Sequence, residues 1–304
     1  MYFLKRLAGL VPLLLLITLL AFLLVRVAPG GPFDRERAPG SPEIERALQA
    51  KYHLDEPLWK QYGRWLGGLL RGDFGPSFKY RNHTVTEIIA QGLPLSMTLG
   101  ALAFCFAIGL GVPLGVWMAL RRGSLTDFGL GFAALLAVCV PGFVVAPLLV
   151  VGLAIHLRWF PVALWGSPWH AVLPVLALGL FFAGKVSRLA RESMTAVLQQ
   201  EFILTARAKG ATESRLLWRH ALKPALLPVV SFSGPMLADL LTGSFVIENF
   251  FQLPGIGVFL VNSSLNRDYP MVVGLVVVYA TLLLVLNLLV DLSYRWLDPR
   301  VKHE

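Results

Sequence analysis

Six charge-poor runs, each as long as a bilayer is thick, predict an all-α polytopic membrane protein with six transmembrane helices. The runs are 7–25, 88–120, 128–157, 159–184, 224–247 and 269–290, and the fifth is interrupted only by Asp239. A spanning helix needs about 20 apolar residues, whereas a barrel strand needs about 10. Backbone polar groups in lipid must pair within their own segment, so runs of this length fold as helices. Composition agrees: 56% of the residues are hydrophobic and only 15% charged, against about 25% charged in a soluble domain.

The first run follows Lys5 and Arg6, as a secretory signal would. It exceeds the usual signal core of about 7–15 residues, and Val25-Arg26-Val27 is a poor cleavage site, so residues 1–28 read as a retained helix. Residues 29–93 then form a loop with short helices. Ser41-Pro42-Glu43 suits a helix start, with a capping hydroxyl, a first-turn proline and an acid at the positive end of the dipole. Leu58, Tyr62, Trp65, Leu66, Leu69 and Leu70 recur at helical spacing. Residues 71–76, RGDFGP, form a turn cluster. Residues 84–91 read as a short amphipathic segment leading to Pro94. This loop either packs over span ends or receives a partner.

Cation placement sets the orientation. With the N-terminus inside, the inner side receives Lys5, Arg6, Arg121, Arg122, the stretch 185–223 and the tail 298–304, which holds Arg300 and Lys302. The short outer connections 156–170 and 249–268 carry chiefly Arg158 and Arg267. Both termini are expected in the cytoplasm. The formal charge of +9 then reflects this bias and not a nucleic-acid partner.

The most informative segment lies after the fourth run. Residues 185–224, KVSRLARESMTAVLQQEFILTARAKGATESRLLWRHALKP, are too polar to stay in lipid. Helix formers dominate from Val186 to Lys209. Gly210 tolerates the left-handed backbone that ends helices, and Thr212 can cap a second helix with Glu213 in its first turn. Leu216, Leu217 and Trp218 supply apolar material, while Arg215 and Arg219 face water. Two helices hinged at Gly210 make a lever for another protein. Their cations also suit lipid head groups.

These residues resemble the integral permease subunits of ABC importers, in particular the oligopeptide/dipeptide permease group. The group's cytoplasmic block resembles TARAKG followed by RHALKPALLP, which stand here at 205–210 and 219–228. Of the broader signature, Glu-Ala-Ala, three residues, Gly, nine residues, Ile-x-Leu-Pro, the chain keeps Ala206, Gly210 and Leu222 and replaces the rest. RGDFGPSF at 71–78, PLGVWMALRRGSLTD at 113–127 and IENFFQLPGIGVFLVNSSLNRDYP at 247–270 extend the likeness over nearly the whole chain.

The resemblance implies a type I ABC importer permease of the prokaryotic inner membrane, with residues 94–297 as its core. It implies a second homologous permease subunit, two ABC ATPase subunits that hold ATP and Mg, and an extracytoplasmic solute-binding protein. No cofactor is expected on this chain. Coupling to an ATPase falls on Thr205, Ala206, Arg207, Ala208, Lys209, Gly210, Ala211, Arg215, His220 and Leu222. Di- or oligopeptides are the implied cargo, with nickel or another small solute as the alternative.

Asp239, Ser244 and Glu248 are candidates for the substrate path. A carboxylate in a span costs a few kcal/mol in lipid, so Asp239 faces either water, where it can meet a peptide's amino group, or a partner within the bundle. Catalytic chemistry has no candidate. The sequence contains no G-x-x-x-x-G-K-[ST] phosphate loop, no H-E-x-x-H and no nucleophile elbow. Cys105 and Cys139 lie inside runs, and the six histidines lack ligand spacing. An ion-coupled carrier is the rival class, but the sequence shows no internal repeat to support it, and Asp239 alone is thin support.

Overall fold

The computed structural model describes residues 2–27, 50, 52–80, 82–242 and 245–297. Among them there is no strand, only an isolated bridge between Pro76 and Thr84. The helices are α1 (Tyr2–Val27), α2 (Leu58–Leu69), α3 (Val85–Leu120), α4 (Leu125–Cys139), α5 (Gly142–Leu149), α6 (Pro168–Leu198), α7 (Glu201–Ala208), α8 (Glu213–Arg215), α9 (Leu222–Thr242), α10 (Phe245–Phe250), α11 (Ile256–Leu265) and α12 (Tyr269–Leu297). Wider π turns continue α5 over Val150–His156 and α8 over Leu216–Ala221. Among the described residues five helical stretches are long and apolar enough to cross a membrane, and six if the bent pair α4–α5 counts as one. The Ser41-Pro42-Glu43 start and the tail 298–304 lie outside the described residues.

The chain divides into two compact units, one using the residues up to Leu95 with Gly255–Leu284, the other Ser96–Pro254 with the residues from Val285. In the first, α2 lies on α1 as its apolar spacing requires. Phe22 meets Tyr62 edge-on at 5.2 Å, and the hydroxyls of Thr18 and Tyr62 share a hydrogen bond of 2.8 Å. Arg26, stacked 3.4 Å above the Phe22 ring, donates twice to Gln61 Oε1. These contacts favour the packing role for this part of the loop.

A polar knot closes the same unit. Asp268, fully buried, caps α12 and accepts from Ser77 Oγ, from the Phe78 amide at 3.0 Å and from the Lys79 amide at 3.4 Å. Ser77 in turn accepts from the Tyr80 amide at 2.8 Å. A carboxylate out of water is tolerated only when its lone pairs are filled this way. The segments RGDFGPSF and NRDYP, far apart in sequence, are thus two halves of one structure.

Residues 84–91 do not form a separate segment. Thr84 and Glu87 make a reciprocal capping box, 3.1 and 3.2 Å, and the helix it starts runs unbroken past Pro94 to Leu120. Val85, Ile88 and Ile89 are buried against Ile256, Met271 and Leu275, so packing holds the first turns where propensity alone would not.

The second unit is built around α6. Gly111 and Gly115 of α3 press on it so closely that a Cβ would stand 2.8 Å from the Ala183 carbonyl oxygen and 2.4 Å from that of Ser187. Small residues let membrane helices approach backbone to backbone, where dispersion contacts replace the missing hydrophobic drive. Ala103 and Ala107 of α3, Ala183, Val186 and Ala190 of α6, and Val229, Met236 and Leu240 of α9 complete this core.

Two spans differ from expectation. The run 128–157 is not one straight helix but turns by 107° between α4 and α5. Pro141 has no amide to donate and forces Val140 into an extended conformation, φ −88° and ψ 117°. The fourth helix starts at Pro168, after a Ser167–His170 capping box, and not at Trp159. It also continues well past Lys185, to Leu198.

Candidate functional site

The hinged bracket is present, with different limits from those expected. The helix predicted from Val186 to Lys209 is broken at Gln199 and Gln200, so its first half belongs to α6 and only α7 stands apart. At the hinge Gly210 has φ +82°. Its amide donates to the Arg207 carbonyl at 3.0 Å, and the Ala211 amide to that of Ala206 at 3.2 Å. This pair of bonds is the Schellman pattern, which satisfies the last carbonyls of a helix with a left-handed residue. Thr212 then caps α8 by accepting from the Arg215 amide.

A bidentate ion pair spans the turn. Arg207 of α7 donates to both carboxylate oxygens of Glu213 of α8, at 2.8 and 3.0 Å. The hydrogen bonds that it donates to Glu213 raise the Arg207 guanidinium above its ordinary pKa. Sequence reading assigned the two residues separate roles, because a spacing of six is no helical repeat and becomes a contact only once the chain turns at Gly210. With Arg207 answered internally, Lys209, Arg215, Arg219 and Lys223 are the exposed cations left from Arg207 to the start of α9.

The bracket is seated, not loose. Ile203, Ala221 and Ala225 are buried with Met194 and Ala119, so α7 and the π turn close over the ends of α3 and α6. Leu216 is also buried. The opposite side is open: Thr205, Arg207, Ala208, Lys209, Gly210 and Arg215 are exposed, while Ala206, Ala211, His220 and Leu222 are half-buried. Phe202, Leu204 and Trp218 also stand out, the last 69% exposed. Phe202 and Trp218 are additions to the predicted surface. Exposed aromatic side chains among cations are the composition of a protein-binding patch.

The three path candidates separate. Asp239 is exposed on α9, Glu248 is fully buried in α10, and Ser244 lies outside the described residues. Glu248 is taken inside because α10 packs against α5 and α6. Asp127 and Arg191, at neither predicted site, form a bidentate pair of 2.6 and 2.8 Å that ties α4 to α6.

Residues 111–303 match the family of binding-protein-dependent transport system inner membrane components. That span includes the bracket and the helices from the last turns of α3 onward. The chain belongs to this family. The oligopeptide transport system permease protein OppB of Haemophilus influenzae is 44% identical over 301 residues, 98% of each chain. OppB of Salmonella typhimurium is 43% identical over 304 residues, 99% of each chain. The dipeptide transport system permease protein DppB of Bacillus subtilis is 42% identical over 301 residues, 99% of this chain and 97% of its own. Among solved structures, an inward-facing MetNI methionine ABC transporter chain superposes with TM-score 0.57 at 14% identity, over 70% of this chain and 97% of that one. That likeness shows the fold, while the family match and the relatives make the chain a multi-pass inner-membrane permease of the ABC importer type.

Proposed function

We propose that this chain is one pore-forming permease subunit of an ATP-driven importer that moves di- and oligopeptides. The observation that carries this reading is end-to-end similarity, above 40% identity, to oligopeptide and dipeptide permease proteins. The chain pairs with a second, related permease subunit. Two ATPase subunits hold ATP and Mg and dock on the bracket, and a solute-binding protein delivers cargo from outside. Both termini face the cytoplasm, residues 29–93 lie outside, and residues 94–297 form the transporting core.

The bracket supports this assignment mechanically. Its Schellman turn, capped second helix and cross-turn ion pair make α7 and α8 move as one piece. Its buried side is fused to the ends of α3 and α6. A displacement imposed by a docked ATPase is therefore passed to the spans and not absorbed in a loop. Work flows only as differential contact with two pore conformations, inward- and outward-facing.

The test is reconstitution in vesicles with the second permease, the ATPases and the binding protein. Tripeptide uptake that needs ATP and all four partners is expected. Uptake by this chain alone under a proton or sodium gradient would contradict the reading.

A further inference from the structure

Membrane helices rarely leave charge exposed on a face of their own, yet two adjacent helices of the second unit do. On α6, Phe181, Lys185, Arg188 and Glu192 follow one another at intervals of four, three and four, so they form one stripe. Lys185, Arg188 and Glu192 are all exposed. On α9, Phe232, Pro235 and Asp239 are spaced by three and four and form a second stripe, with Pro235 and Asp239 exposed.

The two stripes belong to one surface. Lys185 Nζ lies 4.3 Å from the ring centroid of Phe181 on its own helix and 6.0 Å from that of Phe232 on α9. A cleft of about 420 Å³ opens there, lined by Val138, Lys185, Arg188, Leu189, Glu192 and Phe232. Asp239 stands on the Phe232 face, two turns further along. Seven residues at 1.5 Å each place it about 10 Å from the aromatic–lysine contact along the helix axis.

Lys185, Arg188 and Glu192 lie just past the inner end of the fourth run, whereas Asp239, inside the fifth run, would cost about 3 kcal/mol if it faced lipid at mid-bilayer. Neighbouring ionic pairs do not relieve that cost. Arg191 is already bound to Asp127, and among the described residues neither Lys185, Arg188 nor Asp239 has a salt-bridge partner. The surface is therefore a wet one. Its charges are also ordered: two cations with aromatic rings beside them, then, about 10 Å away, a single carboxylate. Glu192 lies at the far end of the cationic group and cannot substitute for Asp239.

We propose that this α6–α9 face lines the translocation path and binds the cargo as a zwitterion. The peptide carboxylate rests at Lys185 and Arg188, and its ammonium group at Asp239. The inference builds on the peptide-permease reading and adds the site and polarity with which a peptide is held. Extended chain advances about 3.5 Å per residue, so a separation of about 10 Å suits cargo of about three residues. The aromatic rings offer sequence-tolerant contact to the cargo's side chains.

The assay uses the complete reconstituted transporter and tri-alanine with both termini free, scored as peptide imported per ATP hydrolysed. Asp239→Asn and the double variant Lys185→Gln/Arg188→Gln are each expected to lower that ratio tenfold or more. In the unsubstituted complex, tripeptides with a photoreactive side chain at the first or at the last residue give a second measurement that needs no variant. The first-residue probe is expected to label α9 around Asp239 and the last-residue probe α6 around Lys185. Unchanged ratios in both variants, or the same labelling pattern from both probes, would overturn the inference and assign these charges to contacts between permease subunits. Absence of tri-alanine uptake by the unsubstituted complex would instead overturn the peptide-permease reading itself, a result distinct from either.

Discussion

Around Asp268 a charge is sealed from water and filled with donors, whereas around Gly210 the charges stay in water and answer one another across a turn. The first arrangement joins segments almost 200 residues apart around a carboxylate that is fully buried. The second uses only neighbours within six residues, and a Cβ added at Gly210 would meet nothing within 4 Å. One region fixes the architecture. The other is stiff locally and open on one side, as the proposed docking of an ATPase requires. Stability and coupling should therefore respond to different substitutions.

The largest loss of stability is expected at the knot. Asp268→Ala strands the buried Ser77 hydroxyl and the half-buried Phe78 amide, at about 1–3 kcal/mol for each buried group left unpaired. The purified protein should melt at markedly lower temperature, with new protease cleavage within residues 71–84. An unchanged melting curve would mean that the knot is ornamental. Next comes the α3–α6 seam. Gly115→Ala drives a methyl group into the Ser187 carbonyl and the Ala190 side chain, both under 3 Å away. Overpacking of this kind costs about 1–3 kcal/mol, read as a fall in melting temperature smaller than that of Asp268→Ala.

Gly210→Val sharpens the contrast because space is not its problem. A β-branched residue held at φ +82° costs about 1–2 kcal/mol of backbone strain, so the protein should insert and assemble. Its expected defect is in uptake per ATP, which falls while ATP hydrolysis continues. Coupling equal to the parent protein would remove the hinge from the mechanism. The smallest effect belongs to Glu213→Gln. Both partners of that pair are solvent-exposed, and exposed pairs contribute little to stability. Melting should not move, and only a modest loosening of coupling is expected.

Much of this was legible in the sequence because it is local. Run length gave the spans, and the Gly210–Thr212 turn could be read from residue types whose preferences are intrinsic to the backbone. Pro141 was visible too, but a kink and a 107° reversal have the same one-letter signal, since the angle is set by what α5 packs against. The same limit explains Glu248, whose neighbours on α5 and α6 bury it although its position near a span end suggests exposure. The Asp268–Ser77 knot and the Asp127–Arg191 pair join residues more than sixty positions apart, and no periodicity encodes such partners. Residues 84–91 were divided from the following span on the strength of Pro94, which tertiary packing overrides. Lys185 marks only the start of a polar stretch in the sequence, and its place beside Phe232 depends on how α6 and α9 pack.

The coupling assignment has one most direct measurement. In a background lacking Cys105 and Cys139, a cysteine replaces Lys209 and a thiol cross-linker is applied to the complete transporter in membranes. The account predicts a covalent product with an ATPase subunit whose yield changes when ATP binds. Labelling of that cysteine by an impermeant reagent from outside the cell, with no ATPase product, would contradict it.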